Sequence, residues 1–155
     1  MALKNYTSSV SAAKSIAYIE AKLAQHGARQ ILKIYDAAAR VSGICFIVPI
    51  NGVDMPFKLP ARVDRCEQIL SNNLSRRARP ETHKKIGEQA ERTAWKILSD
   101  WVEIQMSMID LAQVELLEVF LPYVYDHNKQ ATYFETLKKQ GYKALLPAGT
   151  EKGKS

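Results

Sequence analysis

Between Pro80 and about Ala112 apolar residues fall at Ile86, Ala90, Ala94, Ile97, Trp101, Ile104 and Met108, a spacing that keeps them on one stripe of an α-helix. A second apolar line, Trp95, Leu98, Val102, Met106 and Ile109, runs beside it. The pattern predicts one long helix, with Pro80 suited to its first position and a break near Asp110. A helix apolar over so much of its circumference needs cover on two sides, from the rest of the fold or from a second subunit.

The first eight residues are polar and expected to be loose. A helix is predicted from Ser9 or Ser11, whose hydroxyls can cap it, with Ala12, Ile16, Ile19 and Leu23 inward and Gly27 as its stop. Three strands follow. Gln30–Asp36 is rich in Ile and Leu, and Val41–Ile50 is almost continuously apolar, as in a central strand covered on both faces. Asn51-Gly52 is a strong hairpin signal. In Val53–Leu59, Val53, Met55, Phe57 and Leu59 alternate inward, and Pro56 marks an edge strand.

After Pro60 the period becomes helical again. Val63, Cys66, Ile69 or Leu70, and Leu74 predict a second helix of about fifteen residues. Beyond the long helix, Val114–Tyr123 reads as a short apolar helix stopped by Pro122, and 126–129 as a polar turn. Residues 132–140 form either a last helix or, at Thr132-Tyr133-Phe134, the start of a strand. The predicted fold is α+β: an N-terminal helix, a three-stranded antiparallel meander, then a helical C-terminal half built on one long helix. One domain spans residues 1–146, and the tail 147–155 is too polar to pack and is expected to be disordered.

At 155 residues the chain can bury a sufficient core without staples. Cys45 and Cys66 lie in apolar patterns with no metal-ligand spacing, which predicts reduced core thiols. No apolar run is long enough for a membrane span, and the polar N-terminus carries no leader-like segment, so a cytoplasmic protein is expected.

Charge changes the picture. Lys and Arg outnumber Asp and Glu by 22 to 16, a net +6 that favours anionic partners. Arg76, Arg77, Arg79, Lys84 and Lys85 crowd the junction before and inside the long helix, with Arg62 and Arg65 earlier in the chain. A phosphate there would meet guanidinium groups and the helix N-terminus together. Lys84, Glu88 and Arg92 share a face, so part of the charge can be absorbed in i,i+4 pairs. Tyr35, Tyr123, Tyr125, Tyr133, Phe134 and Tyr142 are candidate stacking platforms, which tilts the expectation toward a single strand, while Phe46 and Phe57 fit a core.

Catalytic signatures are absent. His26, His83 and His127 form no metal pair, and no nucleophile elbow, phosphate loop or dinucleotide fingerprint occurs. Glu88, Glu91, Asp100 and Glu103 alternate with cations and read as a salt-laced face rather than a metal site. A non-enzymatic role without cofactor or metal is expected. The apolar excess around Trp95, Trp101, Phe120 and Tyr123 marks a second candidate surface, for self-association or for a protein partner.

The segments KSIAYIEAKLAQHGA, GICFIVPINGVDMPFKLP and ERTAWKILSDWVEIQMSMIDLAQVELLEVFLPY together resemble a group of small uncharacterised proteins of bacteriophages and prophages. The resemblance covers about Lys14 to Thr136 and implies a phage-borne accessory protein acting in a bacterial host. The order of helix, three strands and helix also looks like the core of annealing proteins, a likeness of fold alone. The function expected is nucleic-acid binding through the basic junction, largely independent of sequence. The alternative is a module that docks on and modulates a host or phage enzyme through apolar C-terminal surface.

Overall fold

The computed structural model describes residues 2–72, 74 and 77–148. Helix α1 spans Ala12–Gln25, and the Ser11 hydroxyl caps it by accepting from the Lys14 N–H at 3.1 Å. Its Ile16, Ile19 and Leu23 are buried, as their spacing requires.

Strands β1 (Gln30–Tyr35), β2 (Val41–Ile50) and β3 (Val53–Pro60) form an antiparallel sheet in the order β1-β2-β3. Asn51 and Gly52 both take positive φ, 52° and 80°, the demand of a tight turn whose twist matches its strands. One sheet face carries Ile44, Phe46, Val48, Phe57 and Leu59 into the core. Phe46 and Phe57, paired across the strands, stack with ring centres 5.1 Å apart. Pro56 lies on an edge strand, as expected.

Two strand expectations need correction. Val53 is the first residue after the hairpin turn and is 62% exposed, because alternation sets which face a side chain shares and not whether that face is covered at the strand end. Strand β2 is not sealed on both faces either. Cys45 and Ile47 are only half-buried, and Leu32 beside them is exposed. Both thiols are free; Cys66 is enclosed but Cys45 belongs to this open face. Burial pushes both thiols up, which keeps them protonated at neutral pH.

Helix α2 covers Val63–Ser71 and helix α3 covers Pro80–Asp110. The second helix is therefore shorter than its apolar period suggested. Helix α3 is the spine: Trp95, Val102 and Met106 are buried against the sheet and α1, and Trp95 Nε1 donates to the Val41 carbonyl at 3.1 Å. Tyr18 meets Glu103 and His26 meets Asp110, so α1 runs beside α3 in the same direction.

The segment from Asn5 to Ser8 is not loose. Asn5 donates to Asp100 at 2.9 Å and its carbonyl accepts from the Thr93 hydroxyl at 2.8 Å, while Gln89 and Arg92 both donate to the Ser8 carbonyl. These four bonds lay the segment along α3 as a strap. No apolar period announced it, because the partners are polar groups some ninety positions away in the chain.

Helix α4 is short, Leu116–Phe120, and runs directly into a 3-10 turn, Leu121–Tyr123, so Pro122 sits inside the turn instead of stopping a helix. A small hairpin, β4 (Tyr125–Asp126) with β5 (Ala131–Thr132), brackets the expected polar turn. Thr132 then caps helix α5 (Tyr133–Lys139), and Glu135 returns a bond to the Thr132 N–H. The helix reading of this stretch therefore holds, and the strand alternative does not, because β5 ends at Thr132 and Tyr133 and Phe134 are helical. Most of the tail, residues 149–155, lies outside the described residues. No helix among the described residues is long and apolar enough to cross a membrane.

Candidate functional site

The basic residues do not form one patch. Arg77, Arg79, Lys84 and Lys85 are exposed at the start of α3, and Arg76 lies outside the described residues. Arg79 is the N-cap, with extended backbone and no side-chain capping bond, and Pro80 follows it as the first helical residue. Among the described residues, Arg79, Lys84 and Lys85 enter no ion pair. The expected pairing of Lys84, Glu88 and Arg92 does not occur, because Arg92 turns to Gln89 at 2.7 Å and to the strap. Glu81 and Glu88 share the exposed face with them and partly offset their cationic potential.

Arg62 and Arg65 stand at the other end of α2. Arg62 forms a two-pronged pair with Asp64, both bonds 3.1 Å, and Arg65 Nη1 donates to the Gln68 amide oxygen at 3.2 Å. The Arg62–Asp64 pair holds the Asp64 carboxyl below its usual range. Both arginines border an apolar hollow of about 370 Å³ between α2 and α3. Its floor is Ala94, Ile97, Leu98 and Trp101 of α3, its walls Cys66 and Ile69 of α2, and its ends Leu3 of the strap and Tyr123. Among the described residues, the only charged ones bordering it are Arg62 and Arg65. An apolar cavity of this size with a few polar groups at its mouth has the make-up of a binding site.

The four residues expected at a protein interface divide in two. Trp95 and Phe120 have no exposed surface at all, which removes them as contacts. Phe120 is held by Phe46, Phe57 and Trp101, with ring centres 5.5, 6.2 and 5.7 Å away. Trp101 and Tyr123 remain half-buried beside the hollow. Two residues from the basic set and two from the apolar set therefore meet in one place, although nothing in their spacing linked them.

The stacking candidates also divide. Tyr35 is 60% exposed but sits alone at the far end of β1. Tyr133, Phe134 and Tyr142 are exposed near Lys138, Lys139 and Lys143, and Phe134 faces Tyr142 with ring centres 6.2 Å apart. Tyr125 lies under the Lys58 ammonium, 5.1 Å from its ring centre.

Two carboxylates of α3, Asp100 and Glu103, serve the fold. Asp100 receives Asn5 and Lys96, each at 2.9 Å, and Glu103 accepts from the Tyr18 hydroxyl at 2.9 Å. Burial pushes Asp100 up, but those bonds and the Lys96 and Lys4 charges outweigh it and leave the carboxyl below its ordinary value. No group of three potential metal ligands occurs among the described residues. Comparison with protein-family models, curated proteins and solved structures returns no match.

Proposed function

We propose that the protein is a non-enzymatic accessory factor that binds nucleic acid through the cationic start of α3, of the kind carried by phages. One observation carries this reading: Arg79, Lys84 and Lys85 are exposed, enter no ion pair and lie together with Arg77 at one helix start. Paired cations release few counterions on meeting phosphate, so the unpaired ones dominate binding. Contacts of this kind reach the backbone and carry no sequence information. The exposed rings of Tyr133, Phe134 and Tyr142 favour a single strand, whose bases can stack.

The test is fluorescence anisotropy with labelled single- and double-stranded oligonucleotides at low and near-physiological salt. Replacing Arg79, Lys84 and Lys85 by Ala removes three phosphate contacts, which should lower the logarithmic salt slope by roughly 2 to 3 for either form. An unchanged slope in a folded variant refutes the assignment.

A second reading is favoured by the apolar hollow, which this mode of binding leaves unused. It makes the protein a docking module for another protein.

A further inference from the structure

The hollow between α2 and α3 is the upper end of a longer feature. Along α3, Ile97, Trp101, Ile104 and Met108 follow one another at intervals of four, three and four, the seam on which a second helix packs. Ile97, Trp101 and Met108 are half-buried and Ile104 is 56% exposed, while Val102 and Met106 on the inner face are enclosed. Higher on the same line Ala90 and Ala94 are buried, and Phe120 and Tyr123 pack against Trp101, so the fold covers this second side only in part. The open seam runs for about three turns, roughly 16 Å.

Charge restricts what lies there. At the upper end Arg62 and Arg65 border the hollow, and among the described residues no carboxylate does. Arg62 is held only by Asp64, with both side chains 65% exposed, and such a pair is weak enough to exchange for another carboxylate. Arg65 is held only by a neutral amide. Asp100 and Glu103, on the flank away from α2, are already engaged by Lys96, Asn5 and Tyr18. A second copy of this chain would bring its own net +6, which opposes association. A small amphiphile would fill the hollow but leave Ile104 and Met108 bare, because neither lines it.

We propose that the seam Ile97–Met108, with the hollow beside Trp101, receives an acidic amphipathic helix of a partner protein. An apolar side chain of the partner enters the hollow, others follow the seam, and its carboxylates replace Asp64 on Arg62 and meet Arg65. This is a helix-in-groove mode and deepens the second reading, on which it rests. It is independent of the cationic start of α3.

The full chain carries its own reporter, since of its two tryptophans only Trp101 borders the hollow and Trp95 is enclosed. The probes are two synthetic helical peptides with Leu on one face, one with Glu and one with Lys on the rest, together with sodium decanoate. Saturable binding of the Glu peptide, one per chain and at least about tenfold tighter than the Lys peptide, is expected. Arg62→Glu with Arg65→Glu should reverse that preference. Ile104→Asp, at an exposed position that keeps the fold, should weaken both peptides. Equal binding of the two peptides keeps a docking surface but overturns the acidic partner. Decanoate binding as tightly as the Glu peptide, or a dimer in sedimentation that excludes it, overturns the helix assignment in favour of an amphiphile or a second copy. No Trp101 response to any probe overturns the docking reading itself.

Discussion

Phe120→Ala tests whether the aromatic cluster is core or contact surface. Phe120 is completely enclosed, and its ring meets Phe46, Phe57 and Trp101 edge-on. Truncation removes the apolar burial of a whole ring and leaves a space whose walls are themselves large rigid rings, poorly able to collapse. Such a change costs about 3–5 kcal/mol. Ala is the better helix former at the end of α4, which returns at most about 0.5 kcal/mol. For a chain of this length each kcal/mol moves Tm by about 2–4 °C, so a fall of roughly 6–20 °C is expected. The assays are thermal unfolding for Tm and urea unfolding for the free energy, both followed by circular dichroism, with equal m-values required before the urea midpoints are compared. Leu121→Ala is the control: its neighbour in sequence is 43% exposed and should lose under about 1 kcal/mol. A Phe120→Ala protein as stable as the parent, but defective in partner binding, would refute this reasoning and return the ring to the surface.

Two further predictions concern stability. At Gly43 a Cβ would stand 3.0 Å from the Leu59 carbonyl oxygen, backbone that cannot move without disturbing the β2–β3 ladder, so Gly43→Ala should cost about 1–3 kcal/mol in the same unfolding assay. A variant as stable as the parent would mean that the strands part freely there. Asp100 has a folded pKa below its unfolded one, so its contribution is present above the unfolded value and is lost as pH falls through the folded value. The stability gap between the parent and Asp100→Asn should therefore narrow between about pH 6 and about pH 3, and a gap of constant size across that range would show that the Asn5, Lys96 and Lys4 contacts do not hold the carboxylate.

The sequence by itself determined the principal elements, α1, the three-stranded meander and α3. The three-and-four spacing marks α3, Pro80 its start, Asn51-Gly52 the hairpin, and alternation at Phe57 and Leu59 the buried edge of the meander. These are local signals, because helix and strand periods repeat within a few residues. Only the tertiary structure decided which members of the two apolar lines on α3 are enclosed: Trp95, Val102 and Met106 of one and Ala90 and Ala94 of the other are buried, while Ile104 is left exposed. It likewise enclosed Phe120, tied Asn5 and Ser8 to α3, and moved Arg62 and Arg65 away from the other cations to the mouth of a hollow with Trp101 and Tyr123. Those outcomes rest on contacts between residues up to about ninety positions apart, as with Asn5 and Asp100, and no local period encodes which distant face a side chain will meet.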